Sequence, residues 1–550
     1  MKQTVLKGNI VDVIGGTVFP GSVTMVDGKI FSVDPSSGRY DRFIIPGLID
    51  AHIHLESSLL VPSRFAEAAV PHGTTGVVAD PHEIANVLGL EGIEYMLQDA
   101  KSVPLRFAFT VPSSVPSTPF ETAGATFDHT TVSTLLARNE FVGLGEVMNV
   151  PGVIGDNPNV LAKIEVAERL GKPIDGHCPG LTGESLDKYI SMGISSDHEC
   201  VSADEAEEKH RKGMLILVRE GSSSKNLGDL MPFAKSNPCC LVTDDLRAAD
   251  LTRGHLDVLL RRAVELGMDP IHALRSVTLW PAQHYGLPGG SIAEGKPADL
   301  AIVKDLRKFE VLRVYINGEL TADDGRSTFF PQPRSLRLGI IPLNKGSEQF
   351  TVKVKPPQGR ARVRVIGVRP DQDLSTAEEA ELPIMDGEIH ADPDQDVLLM
   401  AVVNRYLEAN PALGFVRGMG LKRGAIASTV AHDSHNIIAV GVDHGSLAVA
   451  VNGVAAKGGY YATDGVDIGV SLPLPVAGLM SRDECALVVA AEEELHRFVR
   501  ELGCSLPAPF MTLSFQSLLV EPELKLGDRG LFDSVNFQFV DAVIGHVAGS

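Results

Sequence analysis

Eight apolar runs of strand length recur between residues 43 and 245, and helix-like stretches separate them. The runs cover residues 43–54, 74–80, 105–111, 141–147, 173–178, 194–199, 214–220 and 239–245. Strands that alternate with helices are typical of parallel βαβ units. Eight such units predict an α/β protein built on a TIM-like (β/α)8 barrel. An open doubly wound sheet is the alternative that the rhythm alone leaves open.

The segments on either side of this region contain short strands broken by glycine. Residues 1–45 and 290–335 are each too short to bury a core alone. They are therefore expected to pair into one small β-sandwich that flanks a barrel at 46–289. From 336 to 550 the strand-like runs change in spacing and lead to an apparent helix at 482–503. This pattern predicts a separate C-terminal α+β domain.

Charge and cysteine content limit the expected partners and the compartment. The 550 residues include 49 Lys and Arg against 70 Asp and Glu, a formal charge of −21. Such an acidic chain repels phosphates and anionic lipid, so neither nucleic acid nor membrane is an expected partner. No apolar run of membrane-spanning length and no signal-peptide core occurs, which predicts a cytoplasmic protein. The six cysteines lack CxxC spacing and are expected to be reduced.

Side chains with metal-ligand chemistry stand at the ends of five of the predicted strands. Catalytic groups in such barrels collect at the C-terminal ends of the strands. Four imidazoles and two carboxylates that converge there predict a divalent-metal site. The candidate ligands are His52, His54, Glu146, His177, His198 and Asp244.

The distribution of these ligands predicts two neighbouring metal ions. The two histidines of the first strand are two positions apart, so they share a face and would hold one ion with Asp244. His177 and His198 would hold the second, and Glu146 has two oxygens with which to bridge both. Two close cations lower the pKa of a shared water toward neutrality. Asp244 would take up the proton and return it to a leaving group, so the predicted reaction class is metal-assisted hydrolysis.

Several strings carry a resemblance to a known family. PGLIDAHIH at 46–54, together with the later strand-end histidines and Asp244, resembles the amidohydrolase superfamily. Five further strings are similar to the adenine deaminase family within it, the last of them to its C-terminal domain: GLGEVMNVPGVI (143–154), IDGHCPGL (174–181), SSDHE (195–199), VTDD (242–245) and ASTVAHDSHNIIAVG (427–441). Glu146 stands where many amidohydrolases have a carboxylated lysine, as it does in adenine deaminases.

This resemblance covers nearly the whole chain and implies a substrate. The implied reaction is hydrolytic deamination of adenine to hypoxanthine and ammonia, a step of purine salvage. The implied cofactors are two divalent metal ions, with Mn²⁺ or Fe²⁺ preferred to Zn²⁺. A carboxylate and imidazole set accepts all three metals, so the residues themselves do not choose among them.

Four residues near the predicted barrel mouth are candidates for proton transfer or substrate contact. His82 and Glu83 follow the second strand, where a simple helix start is the alternative. Glu199 follows a proposed ligand and would either act directly or support its neighbour. Ser222 lies in a polar loop after the seventh strand and is a candidate for lining the substrate.

A histidine-rich turn in the C-terminal region gives the remaining candidates. His432, Asp433 and His435 lie within four positions, between the strand-like AIASTVA and IIAVGV. Polar groups at such a turn can reach a neighbouring surface. We expect this loop to pack over the barrel mouth and help hold adenine, with Asp433 and His435 in contact with the substrate and no role in binding the metals.

Two other functions stay open from the residues alone. A cyclic-amide hydrolase of the dihydroorotase or hydantoinase type uses the same barrel, although Glu146 in place of a lysine counts against it. A metal-free scaffold protein would be expected to have lost several ligands, and all six are present. An enzyme of this size is expected to form a homo-oligomer, with a dimer favoured.

Overall fold

The computed structural model describes residues 2–222, 224–355, 357–369 and 374–547. The chain divides into two units. Unit 1 comprises Met1–His82, Glu94–Ser114 and Phe127–Arg334, and unit 2 comprises Glu83–Ile93, Val115–Thr126 and Ser335–Ser550. Within the described residues, no helix combines the length and the apolar character that a bilayer crossing requires.

Unit 1 contains the predicted barrel. Within the described residues the barrel has eight strands, which are numbered 1 to 8 in chain order. They are Leu48–Ile53, Thr74–Ala79, Arg106–Val111, Phe141–Val147, Ile174–Gly176, Ser196–Asp197, Leu215–Arg219 and Cys239–Val242. Strands 1 to 5 form one parallel ladder and strands 6 to 8 another. Each of the eight strands coincides with one of the predicted apolar runs, so the (β/α)8 fold class is confirmed.

Two seams close these ladders into a barrel. Between strands 5 and 6, the Ser195 amide donates to the Ile174 carbonyl at 2.9 Å. Between strands 8 and 1, the His54 amide donates to the Asp244 carbonyl at 3.1 Å, and the Asp244 amide donates to the His52 carbonyl at 3.0 Å. A closed ring of this kind rules out the open doubly wound sheet. It also brings two proposed ligand segments together through their main chains.

The first apolar run forms two strands rather than one. Phe43–Pro46 belongs to the flanking sheet and Leu48–Ile53 begins the barrel, with Gly47 between them. A Cβ atom at Gly47 would lie within 2.1 Å of the Thr75 hydroxyl oxygen. Only glycine fits this close approach, so the chain changes sheets at this position.

Helices connect the barrel strands and follow the last of them. Their bounds are Pro62–Ala69, His82–Ala100, His129–Leu136, Val150–Ile154, Pro158–Arg169, Gly183–Ser191, Ala203–Arg211, Leu227–Ala234, Ala248–Leu251, Leu256–Glu265, Pro270–Ser276 and Leu279–His284, with short 3₁₀ turns at Leu55–Ser58 and Val70–His72. Several begin at side-chain caps, for example Asp128, whose carboxylate accepts the Thr131 amide at 2.8 Å. The six cysteines, all within the described residues, are thiols.

The flanking segments of unit 1 form one eight-stranded sheet. Its strands are Gln3–Asp12, Thr17–Val26, Lys29–Pro35, Phe43–Pro46, Leu300–Val303, Val311–Ile316, Glu319–Asp323 and Arg326–Ser327. The N-terminal and later segments meet where Ile44 pairs with Ile302. Apolar side chains from both segments, such as Ile10 and Leu300, share one buried core. Neither segment could bury that core alone, which is why they pair across the barrel sequence.

Unit 2 is an α+β structure, as predicted for the C-terminal region. Its larger sheet has the strands Val352–Lys353, Gly359–Val368, Ser375–Met385, Glu388–Ile389, Val397–Val403, Ala412–Arg417, Ala425–Ser428, Ile437–Gly441, Tyr460–Thr463, Gly469–Leu472 and Val543–Val547. A smaller sheet has Leu524–Gly527, Gly530–Asp533 and Gln538–Phe539. The helices are His444–Ala455, Cys485–Glu501 and Pro509–Ser514, with 3₁₀ turns at Ser347–Phe350 and Phe515–Ser517.

A buried ion cluster lies beside barrel strands 5 and 6. The Lys209 ammonium has no exposed surface and donates to Asp197 Oδ2 at 2.9 Å, Glu205 Oε1 at 2.7 Å and the Cys178 carbonyl at 2.7 Å. Burial by itself raises the pKa of Asp197, but the charge of Lys209 outweighs it and holds that pKa below its ordinary value. The cluster is therefore a charged pair with satisfied hydrogen bonds rather than a neutral one.

Asp197 connects the ends of the two strands that carry proposed ligands. Its carboxylate accepts the Cys178 amide at 2.9 Å and the Glu199 amide at 3.2 Å. These residues directly follow His177 and His198 in the sequence. A single buried carboxylate thus fixes the main chain at both histidines, because each hydrogen bond forms one residue beyond the ligand.

We expect Lys209→Met to lower the free energy of unfolding of unit 1 by about 3–5 kcal/mol, because Asp197 would stay buried without its cation. Urea unfolding followed by the fluorescence of Trp280, the single tryptophan, measures this in unit 1. Lys212→Met is the matched control, since Lys212 pairs with Asp187 and Glu208 at the surface. Equal shifts for the two variants would contradict a special role for the buried pair.

Candidate metal centre

The barrel brings all six proposed ligands to the ends of its strands in unit 1. His52 lies in strand 1 and Glu146 in strand 4, while the others follow strands 1, 5, 6 and 8 by one or two residues. All six are buried. Parallel strands end on the same rim of a barrel, so residues far apart in sequence converge there. The six are His52, His54, Glu146, His177, His198 and Asp244.

The Glu146 carboxylate lies between two groups of imidazoles. Its Oε1 is 3.2 Å from His54 Nε2, and its Oε2 is 2.8 Å from His177 Nδ1 and 3.2 Å from His198 Nε2. The Glu146 amide donates to Asp80 Oδ2 at 3.0 Å, which fixes the main chain at this residue. Each carboxylate oxygen therefore faces a different set of nitrogens, as a bridging ligand requires.

Asp244 faces the histidines of strand 1. Its Oδ1 lies 3.2 Å from both His52 Nε2 and His54 Nε2. Asp244 adopts a left-handed main-chain conformation with φ of 55°, one that Asp and Asn enter more readily than other non-glycine residues. This turn, immediately after strand 8, directs the carboxylate toward strand 1.

The His54 ring is held in the tautomer that a metal ligand needs. Its Nδ1–H donates to the Asp80 main-chain carbonyl at 3.2 Å, so Nε2 is the nitrogen that faces Asp244 and Glu146. Metal-binding histidines commonly donate their other nitrogen in this way. The His52 and His198 rings also stack, with centroids 4.2 Å apart, which brings the two groups of imidazoles into contact.

The directions of the pKa shifts indicate that the carboxylates of the centre are ionised and attract positive charge. Burial lowers the pKa of His198, but contacts with Glu146 and Glu199 outweigh it and raise that pKa to about 10. Burial likewise lowers the pKa of His54, and hydrogen bonds with Asp244 and Glu146 raise it well above the ordinary value. Burial raises the pKa of Glu146, yet its imidazole neighbours hold it well below the ordinary range.

This set of donors fits divalent cations. Buried imidazole nitrogens and carboxylate oxygens face one another at 2.8 to 3.5 Å, and the combinations that could hold an ion include His52 with His54 and Asp244. Imidazole with carboxylate suits Mn²⁺, Fe²⁺ and Zn²⁺ alike. A bound cation would be coordinated by these buried nitrogens and oxygens in place of the protons that they share.

His82 lies in the same cluster. It is the first residue of the helix after strand 2, and its Nδ1 is 3.4 Å from Glu146 Oε1 and 3.6 Å from Asp80 Oδ1. The sequence left a helix start and a functional role as alternatives for this residue. In the structure His82 both begins a helix and contacts the proposed bridging carboxylate.

Glu199 is held by an arginine that sequence reasoning did not consider. Arg219 is the last residue of strand 7 and is buried. Its Nη1 and Nη2 donate to Glu199 Oε1 and Oε2 at 2.6 and 2.7 Å, and Nη1 also donates to Asp244 Oδ2 at 3.2 Å. Burial raises the pKa of Glu199, but Arg219 and His177 outweigh it and lower that pKa to about 2.

Ser222 lies in the loop after strand 7, as predicted, and its hydroxyl group serves that loop. The hydroxyl donates to Asp250 Oδ2 at 2.6 Å and accepts the Arg247 amide at 2.9 Å. Among its described contacts, none is with a proposed metal ligand. Contact with substrate stays a prediction for this residue.

Unit 2 contains a buried cluster of histidines and carboxylates. The Glu83 oxygens contact His432 Nδ1 and His435 Nε2, one imidazole for each oxygen. His435 Nδ1 accepts the Ala431 amide at 3.0 Å, so its proton is on Nε2 and points to Glu83. Burial lowers the pKa of His435 and keeps the ring neutral. The sequence named these three side chains but did not predict that they contact one another.

A second carboxylate in unit 2 was missed from the sequence. Glu121 Oε1 accepts hydrogen bonds from Ser117 at 2.7 Å and Thr118 at 3.2 Å. Burial and the nearby charge of Asp433 raise the pKa of Glu121 to about 7. A glutamate in an ordinary-looking loop gives no signal in sequence, because only the fold brings Asp433 close to it.

Arg219, the other residue that the sequence analysis missed, was detectable in principle, since it also ends a barrel strand.

The chain is similar to known proteins over nearly its whole length. A model of the amidohydrolase family matches residues 43–219 and 200–321, and a model of the adenine deaminase C-terminal domain matches residues 373–538. The adenine deaminase of Methanothermobacter thermautotrophicus is 48% identical over 97% of this chain and 98% of its own length. Those of Salinibacter ruber and Methanosarcina barkeri are 47% and 46% identical over 98% of this chain and 99% of theirs. The chain therefore belongs to the adenine deaminases of the amidohydrolase family.

Proposed function

We propose that this protein catalyses the hydrolytic deamination of adenine to hypoxanthine and ammonia. The observation that carries the proposal is the Glu146 carboxylate between imidazoles of strands 1, 5 and 6, in a chain that is 48% identical to an adenine deaminase. In this reaction water adds to C6 of the purine, the adjacent ring nitrogen gains a proton, and the exocyclic amine leaves as ammonia.

Two sets of residues would hold the two divalent ions. His52, His54 and Asp244 form one set, His177 and His198 form the other, and Glu146 touches both. Cations at such a site lower the pKa of water and so supply a nucleophile at neutral pH. We propose Mn²⁺ or Fe²⁺ in preference to Zn²⁺, on the family resemblance. The homodimer and the cytoplasmic location stay predictions.

Proton transfers fall to residues of this chain. Asp244 is proposed to accept the proton from water and deliver it to the amine, because its two oxygens face different partners, the histidines of strand 1 and Arg219. His82 and its sequence neighbour Glu83 are the candidates for protonating the ring. Glu199 is the weaker third candidate, since Arg219 engages both of its oxygens.

The substrate assignment predicts a narrow pattern of activity. Purified protein supplied with Mn²⁺ should release ammonia from adenine and should leave dihydroorotate and hydantoin unopened. Ammonia is measured by a coupled assay, and ring opening by loss of ultraviolet absorbance. EDTA treatment before the assay should abolish the activity. Hydrolysis of a cyclic amide that is faster than the deamination of adenine would favour the dihydroorotase-like alternative. Glu146, in place of a lysine, counts against that alternative.

Substitutions at Glu146 and at Asp244 should impair metal binding and turnover in different ways. Glu146→Gln should lose bound metal together with turnover, because a neutral amide cannot compensate two cations. Asp244→Asn keeps an oxygen for the metal but cannot accept a proton, so metal should largely remain while kcat falls by roughly 10²–10⁴. Metal content by mass spectrometry and kcat for adenine separate the two cases. A metal-replete Glu146→Gln variant with a near-normal rate would remove its bridging role.

His435 tests whether the unit 2 cluster serves the reaction. His435→Ala removes one of the two imidazoles that hold Glu83, so kcat/KM for adenine should fall while the protein stays folded and its metal content stays near wild type. His444→Ala is a matched control in the same unit, where Nδ1 lies 3.7 Å from Glu388. Wild-type kcat/KM in both His435→Ala and Asp433→Ala would show that the cluster is structural.

A further inference from the structure

Arg219 is a buried cation to which the reaction scheme gives no role. Its guanidinium forms two parallel hydrogen bonds with Glu199, and the side chains are only 6% and 5% exposed. Paired donors of this kind bind both oxygens of one carboxylate at once and hold its orientation. Arg219 therefore fixes Glu199 more firmly than a single hydrogen bond would.

Glu199 has the position of a metal ligand. Its Oε1 lies 3.2 Å from His198 Nε2 and 3.5 Å from His177 Nδ1. Glu146 Oε2 lies 3.2 and 2.8 Å from the same two nitrogens. Two carboxylates thus face one pair of imidazoles, and a cation between those imidazoles would be within reach of either.

We propose that Arg219 selects between these two carboxylates. By engaging both oxygens of Glu199, it withholds this carboxylate from the cation bound by His177 and His198 and leaves that position to Glu146. Arg219 is then a positioning residue, since it acts through Glu199 and Asp244. The inference rests on the metal centre proposed above.

The charge of Arg219 has a second consequence. Glu146, Glu199 and Asp244 bring three carboxylates to the centre, and the guanidinium offsets one of them. Bound cations then keep more of their positive charge, which is the property that lowers the pKa of water. Without Arg219, Glu199 would bind the cation more tightly and weaken it as a Lewis acid.

The proposal predicts changes of opposite sign in metal retention. Arg219→Met frees Glu199 and should slow the release of metal, whereas Glu199→Gln leaves the arginine charge unbalanced and should speed it. Each change should be roughly ten- to a hundredfold, the effect of one unit charge a few ångströms away in protein. The double variant Arg219→Met/Glu199→Gln should return to within a few fold of wild type, because both charges are removed together.

A purely structural ion pair would behave differently. Breaking it from either side would loosen the site, so both single variants would release metal faster and the double variant would not recover. That result would overturn the proposal. Turnover supplies a second readout: kcat should fall in Arg219→Met and recover at least in part in the double variant, while a double variant as slow as Arg219→Met would contradict the charge argument.

Metal release is measured on the full chain loaded with Mn²⁺ and mixed with excess EDTA, with free Mn²⁺ followed by electron paramagnetic resonance. Arg313→Met is the matched control, because Arg313 pairs with Asp323 at the surface, and it should leave release unchanged. If Arg219→Met does not fold, faster release from Glu199→Gln than from the double variant still supports the proposal, and equal release overturns it. Mn²⁺ release needs no substrate, so it fails separately from adenine turnover.

Discussion

The contact on which the candidate site depends is that of the Glu146 carboxylate with imidazoles from three barrel strands. A carboxylate has two oxygens in fixed geometry, and here one faces strand 1 while the other faces strands 5 and 6. For one carboxylate to contact all three strands, the strands must end at the same height on the rim of the barrel. The closed barrel meets that requirement, because main-chain hydrogen bonds join strand 8 to strand 1 at Asp244 and strand 5 to strand 6 at Ile174.

Two groups of buried carboxylates in unit 1 have neighbouring cations or imidazoles that balance their charge. Carboxylates at the centre are matched by imidazoles and Arg219, and one step further out Asp197 is matched by Lys209. An uncompensated charge in such surroundings is costly, so each pair constrains the others. The Lys209 pair holds the main chain beside His177 and His198, whereas the Arg219 pair holds a carboxylate that could itself bind metal. The Lys209–Asp197 pair affects stability and the spacing of the ligands. The Arg219–Glu199 pair affects the charge of the centre.

Unit 2 has a polar cluster of its own, and its chemistry differs from that of the barrel. Glu83 is held by His432 and His435, and the pKa of Glu121 is raised to about 7 by burial and by Asp433. A carboxyl group with such a pKa can hold or release a proton near neutral pH. The cluster thus combines a fixed carboxylate with a protonatable one. A relation between this chemistry and the purine stays a proposal that His435→Ala tests.

The fold class followed from sequence because its signals are local and repeated. Eight apolar runs with helical spacers predict the barrel. Strand-end residues such as His52, His177 and Asp244 can be identified from the sequence, because the C-terminal end of a strand is where its apolar run stops. The pairing of the flanking segments was also predictable, because neither could bury a core alone.

Contacts between side chains distant in sequence were decided by the tertiary structure. Nothing in the runs indicates that Arg219 would engage Glu199, or that Asp433 would lie near Glu121. The split of the first run at Gly47 likewise depends on Thr75, a residue of another strand. The sequence by itself determined which residues stand at the strand ends, because the periodicity of apolar residues is local. Only the tertiary structure decided which charges face one another, because that depends on how segments distant in sequence pack together.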